Sequence, residues 1–130
     1  ERWFGFDDGI YAAARLMEIL AADERTPEEI FAELPKGVST PELKVVMEEG
    51  AHYAFMDRFL AAAKFEGGKL ITIDGIRVDW PDGWGLVRCS NTTPSLVLRF
   101  DADNETALSR IKEAFRAQML MVDSSLKLPF

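Results

Sequence analysis

The sequence is short of cysteine, of long apolar runs and of positive charge, and each shortage excludes something. One cysteine, Cys89, is present in 130 residues. It cannot close an internal disulfide, so a reducing cytoplasm is the expected compartment. The apolar runs fall far below the roughly 18 residues that a membrane span needs, so no membrane partner is expected. Arg2 to Asp8 lead into an acidic amphipathic segment, without the apolar core and small-residue cleavage site of a secretion leader. Net charge is −7, which argues against nucleic acid as a partner, because a phosphate backbone needs a basic face. A small anion held by a few placed groups remains compatible with an acidic chain. The sequence also begins at Glu1 and not at Met, which leads us to expect a fragment or processed chain with catalytic parts upstream.

What is present reads as a soluble globular protein of one domain with an appendage, 48% hydrophobic and 28% charged. Charge is uneven: residues 1–36 carry nine acids against four bases, whereas 37–130 carry thirteen against eleven. In the acidic part, Ile10, Ala13, Ala14, Met17 and Leu20 form a helical stripe, with Asp7 or Asp8 as its cap. A short second helix is expected in "TPEEIFAELP", with Thr26 as cap, Pro27 in the first turn and Glu29 three after the cap. The breaker-rich "KGVSTPE" follows, and the domain boundary is placed at about 35–41, dividing the chain into 1–36 and 37–130.

Beyond the boundary, "LKVVM" reads as a strand. A helix is expected over about 48–66, burying Phe55, Met56, Phe59, Leu60 and Ala63 and ending at Gly67-Gly68. "KLITIDGIRVDW" reads as a hairpin turning on Asp74-Gly75, a pair suited to a two-residue type I′ turn. "WGLVRC" and "SLVLRFDA" are further strands. A last helix starts at Asp103 or Asn104 and buries Leu108, Ile111, Phe115, Met119 and Val122. The expected class is α+β: a mostly antiparallel four- to five-stranded sheet with two helices on one face, after a helical stub. That topology is TATA-box-binding-protein-like, but the acidic balance disfavours a nucleic-acid role, and fold does not imply function.

The connection "RCSNTTP" between the last two strands concentrates donors. Arg88 carries a planar guanidinium fork suited to carboxylate or phosphate. Ser90, Thr92 and Thr93 add hydroxyls and Asn91 an amide. Asn also tolerates the left-handed backbone that anion-cradling turns often use, and Pro94 stiffens the exit. No general base, paired carboxylates or metal-ligand cluster accompanies them, so the loop reads as a binding element without its own chemistry. Composition alone favours a Ser/Asn/Thr turn that merely joins two strands, with Arg88 facing solvent.

"DGWGLVRCSNTTPSLVLRFDAD" resembles the phosphate-binding loop and following strand of the C-terminal domain of the α-D-phosphohexomutases, in particular the bacterial phosphomannomutase/phosphoglucomutase branch. "ERWFGFDDGIYAAARLMEIL" is similar to the end of that family's preceding domain, and "VDSSLKLPF" to its C-terminus. Cys89 departs from the small residue expected at its place and reads as a buried spacer. The resemblance implies that Arg88, Ser90, Asn91 and Thr92, with Thr93 in support, hold the phosphate of a hexose phosphate. It also implies that an upstream phosphoserine and Mg2+, both outside this chain, perform the transfer through a bisphosphorylated sugar. The upstream domains of the same polypeptide are then the natural partners, 1–36 is the end of one of them, and the chain alone is expected to lack mutase activity. The alternative is an autonomous, non-catalytic binding or interaction module. His52 reads as a partly buried histidine satisfied by a neighbour, with a ligand or general-acid role as the alternative. Arg99 is expected to make an ion pair or to support the loop. Trp3, Phe4 and Phe6 would lose their cover without the preceding domain.

Overall fold

Alternation of apolar and polar residues builds the sheet in the computed structural model, which describes residues 3–130. The chain divides into two compact units, one ending at Pro35 and the other spanning Lys36–Phe130.

In the first unit, α1 (Gly9–Ala22) and α2 (Pro27–Ala32) bury no residue. Their ends are locally satisfied. The Asp8 carboxylate accepts from Tyr11 N–H at 2.9 Å, and Thr26 and Glu29 form a reciprocal capping box around Pro27. Arg25 ties Asp23 (2.8 Å) to Glu33 (2.5 Å); its hydrogen bonds hold the Asp23 carboxyl down at about 2. The apolar stripe expected on α1 is exposed within this unit, with Ile10 at 87% and Met17 at 64%.

The second unit holds β1 (Val38–Ser39), β2 (Leu43–Val46), α3 (Ala51–Ala62), β3 (Lys69–Ile71), β4 (Ile76–Trp80), β5 (Gly83–Cys89), β6 (Ser95–Ala102) and α4 (Glu105–Val122). All pairings are antiparallel, and the sheet order is β1-β6-β5-β4-β3 with β2 also on β6. The six strand segments occupy five positions, because β1 and β2 share the free edge of β6 and are parted by Thr40-Pro41-Glu42. Pro41 has no N–H to give a ladder. Thr40 bridges the gap by donating its N–H to Phe100 O (2.9 Å) and accepting Phe100 N–H on its hydroxyl (3.1 Å). The two-residue β1 lies in a stretch whose breakers hid it from sequence reading.

One sheet face is the core. Ile76, Val78, Val87, Leu96, Leu98, Phe100 and Ala102 pack with Phe55, Met56 and Phe59 of α3 and Leu108, Ile111, Phe115 and Met119 of α4. Each such Val, Leu, Ile, Phe or Met side chain contributes about 1.5–3 kcal/mol by leaving water. α4 is capped by Asn104, whose amide oxygen accepts from Ala107 N–H at 3.0 Å. α3 stops at Ala62, short of the expected Gly67-Gly68. The chain leaves the helix early so that Phe65 can turn in against Phe59, Trp80 and Phe115, while Lys64 N–H donates to Gln118 at 2.9 Å.

The hairpin also differs from expectation. Ile71 pairs with Arg77, so the connection is longer than two residues, and only Gly75 takes positive φ, at 81°. A type I′ turn needs positive φ at both central residues. Gly75 is instead pressed on the neighbouring strand: a Cβ there would meet the Val87 carbonyl oxygen and stand 2.7 Å from Arg88 Cα. That contact sets Asp74 beside Arg88.

Candidate functional site

The donor loop is the connection from Cys89 to Ser95. Its base is a tight backbone clasp: Ser90 N–H donates to Ser95 O (2.9 Å) and Ser95 N–H to Thr93 O (2.8 Å). Met47 N–H, just after β2, donates to Pro94 O at 2.8 Å and fastens the exit. Inside the clasp, the Ser90 hydroxyl oxygen is a hub. It receives the N–H groups of Thr92 (3.4 Å) and Thr93 (3.3 Å) and lies 3.0 Å from Thr93 Oγ1 and 3.5 Å from Thr92 Oγ1. Two backbone donors and two hydroxyls therefore converge on one oxygen. Among the described residues no non-glycine has positive φ, so Asn91 does not use the left-handed conformation that its type would allow.

Ser90, Asn91, Thr92 and Thr93, with Pro94, line a small cavity of about 100 Å³ together with Glu49, His52 and Tyr53 at the start of α3. Ser90 is buried in its wall, whereas Asn91, Thr92 and Thr93 are exposed. Arg88 is not among the lining residues. Along β5, Val87 and Cys89 face the helices, which turns Arg88 to the opposite sheet face, where it lies across from Val97. Its guanidinium lies 3.7 Å from Asp74 Oδ2 and donates a long 3.4 Å bond to the Cys89 carbonyl. The structure thus gathers four of the five sequence-predicted residues in one cavity and leaves Arg88 engaged elsewhere, on weak and partly exposed partners. Asp74 was legible only as a turn residue; its place beside Arg88 depends on how Gly75 seats.

Cys89 links loop to helix, its thiol donating to the His52 carbonyl at 3.3 Å. Burial pushes the thiol pKa up, and the negative charges of Asp57 and Asp74 add to the rise. It is therefore poorly suited to act as a nucleophile. His52 is buried at 2% exposure, but the neighbour expected to satisfy it is missing: its Nδ1 has no hydrogen-bond partner. Its ring lies against that of Tyr53, with centroids 4.0 Å apart and the planes tilted by 38°. Glu49 and Tyr53 were not read as site residues, and His52 was read as a packed histidine with a ligand or general-acid role only as the alternative. The available signal was Gly50, a helix start that offers no side-chain cap. Arg99 is exposed and makes no ion pair among the described residues. Nor do the described residues bring three His, Cys, Asp or Glu together to hold a metal ion, and no helix among them is long and apolar enough to cross a membrane.

Against known proteins, residues 42–118 match the family described as phosphoglucomutase/phosphomannomutase, C-terminal domain. The whole chain is 55% identical to a phosphomannomutase/phosphoglucomutase of Pseudomonas aeruginosa, covering 28% of that protein. Over 119 residues it is 55% identical to a phosphoglucomutase of Neisseria meningitidis, covering 90% of this chain and 26% of that one. The fold superposes on the crystal structure of a phosphoglucomutase/phosphomannomutase family protein from Burkholderia thailandensis with a TM-score of 0.85, at 47% identity, over 99% of this chain and 27% of that one. The chain spans little more than a quarter of the length of these relatives. The match covers β2 to β6, α3, most of α4 and the donor loop, and the chain belongs to the phosphoglucomutase/phosphomannomutase C-terminal domain family.

Proposed function

We propose that residues 37–130 are the phosphate-gripping domain of a phosphomannomutase/phosphoglucomutase that interconverts hexose 1-phosphate and hexose 6-phosphate. Residues 1–36 are then the end of the preceding domain, and closure about the 35–41 connection brings the grip over the reacting sugar. The observation that carries the reading is the Ser90 hub. The loop aims the N–H groups of Thr92 and Thr93 and two hydroxyls at one oxygen, the arrangement a phosphate oxygen would exploit.

The energetics favour exchange. The bonds to Ser90 Oγ are long and neutral, and a neutral bond is worth about 0.5–1.5 kcal/mol net, whereas a bond to a charged group is worth about 1.5–3. A phosphate dianion therefore outcompetes the serine for the same donors. Arg88 gives up a weak partly exposed pair with Asp74, worth at most about 1 kcal/mol, for a bidentate fork on phosphate. A phosphate group is nearly symmetric while a sugar is not. A multi-donor grip can thus hold the non-reacting phosphate in both orientations of the bisphosphorylated sugar.

In this reading the transferring phosphoserine and the assisting Mg2+ lie outside residues 1–130. The protein works in the cytoplasm. The test is a backbone-amide NMR titration of the chain with inorganic phosphate and with glucose 1-phosphate. Shifts centred on 88–93 are expected. A flat response at tens of millimolar would leave an autonomous interaction module with a structural loop.

A further inference from the structure

Among the described residues three polar side chains are buried: His52, Ser90 and Ser95. The two serines are the ends of one chain of hydroxyls. Ser90 Oγ lies 3.0 Å from Thr93 Oγ1, and Thr93 Oγ1 lies 3.0 Å from Ser95 Oγ. Ser95 is 2% exposed, and Thr93 is the one partner of its hydroxyl among the described residues. It opens β6 directly before Leu96. Leu96 packs in the core, so the Ser95 side chain takes the helix-free face of the sheet, with Val97 and, across from Val97, Arg88. The chain therefore leads from the hub of the loop to the side of the sheet that carries the guanidinium. The strand does not itself ask for a hydroxyl here, because valine or isoleucine suits a buried strand position better.

Proton counting gives the chain a direction. A hydroxyl has one proton and two lone pairs. Ser90 Oγ receives the N–H groups of Thr92 and Thr93, which uses both lone pairs. Its proton then goes to Thr93 Oγ1, the nearer hydroxyl, and Thr93 passes its own to Ser95. An anion that takes the two N–H groups frees the lone pairs of Ser90 and attracts its proton. Thr93 then donates to Ser90, and Ser95 donates to Thr93. The chain reverses end to end, with Ser95 as acceptor at rest and as donor when the anion is bound. We infer that Ser95 is a positioning residue of the phosphate grip: its buried hydroxyl holds the Thr93 side chain in both states and, through Thr93, sets the Ser90 hydroxyl to donate to the phosphate. This rests on the reading of the loop as a phosphate grip. Linked hydroxyls polarise one another by about 10–30% per bond, so the two links behind Ser90 strengthen its bond to an anion. Ser95 touches no ligand in this arrangement and acts through its neighbours.

Three variants separate the hydroxyl from the packing. Ser95→Ala removes it without adding volume, whereas Ser95→Thr and Ser95→Val differ from each other only by a hydroxyl in place of a methyl. The 130-residue chain and each variant can be titrated with inorganic phosphate at fixed pH and ionic strength. The backbone amides of 88–93 report binding, and three-bond couplings report the χ1 rotamer of Thr93. Ser95→Ala and Ser95→Val should weaken phosphate about 2- to 4-fold, through lost polarisation and a freed Thr93 side chain, and should average the Thr93 rotamer. Ser95→Thr should keep both the affinity and the single rotamer. Equal affinity in the valine and threonine variants would overturn the inference and make Ser95 a packing residue, with the loop reading intact. An alanine variant that binds like the wild type would do the same, as would a Thr93 side chain that keeps one rotamer in all four proteins. If the loop amides respond to phosphate in none of them, the loop reading falls and takes the inference with it.

Discussion

Replacing Gly75 by alanine should damage the protein more than replacing Gly67 by alanine, although both glycines have left-handed backbones, with φ of 81° and 66°. The difference lies in their surroundings. A Cβ on Gly67 has nothing within 4 Å, so Gly67→Ala costs only the conformational penalty, about 1–2 kcal/mol. A Cβ on Gly75 meets the Val87 carbonyl and stands 2.7 Å from Arg88 Cα and 2.9 Å from Arg88 Cβ. These are mostly backbone atoms of a central strand and cannot rotate away. Overpacking of this kind adds about 1–3 kcal/mol, which brings Gly75→Ala to about 2–5 in all. Urea denaturation followed by tryptophan fluorescence measures both, since Trp80 and Trp84 flank the β4–β5 turn. Equal losses in the two variants, at unchanged m, would refute the claim that the hairpin turn is wedged on the strand of Arg88.

Three further outcomes follow from the same region. Arg88→Lys in the full-length enzyme should weaken substrate binding by about 1–3 kcal/mol, because the bidentate fork is lost; unchanged KM and kcat/KM would count against the assignment. Asp74→Asn should tighten phosphate about 2- to 5-fold by releasing Arg88 from a partly exposed pair worth at most about 1 kcal/mol; isothermal titration showing equal or weaker binding would remove Asp74 from the account. Cys89 has a folded-state pKa raised above 9.0, so the folded chain keeps its thiol proton where the unfolded chain has lost it. Its contribution to stability is present below about pH 9 and declines as pH rises through the folded value. Iodoacetamide at pH 8 should accordingly label the native chain more slowly than the urea-unfolded one.

Much of this fold was legible because its signals are local. Alternation in "SLVLRFDA" and the spacing of Leu108, Ile111, Phe115 and Met119 specify which face is buried, and Thr26, Asn104 and Pro27 mark helix starts by side-chain chemistry alone. The departures arise where distant residues decide. Phe65 ends α3 early because its ring is wanted between Phe59 and Phe115, and the 71–77 register follows from the seat of Gly75 against β5. The site divides in the same way. Hydroxyls four or fewer positions apart could be read as one cluster. The approach of His52, about forty residues earlier, and the diversion of Arg88 to Asp74 depend on tertiary placement, and no motif encodes them.

The interruption at Thr40-Pro41-Glu42 bears on how the molecule avoids its own kind. A sheet with open ends can recruit a second chain by strand addition. Here one rim is β3, three residues long and opening with a lysine. The other is cut into pieces of two and four residues by a proline that cannot donate. Neither rim offers an uninterrupted template, so the domain can expose Val46 at 80% at its border without inviting cross-chain pairing. Joining the two pieces by Pro41→Val would create a continuous nine-residue rim, from Val38 to Val46, and with it a nucleus for aggregation.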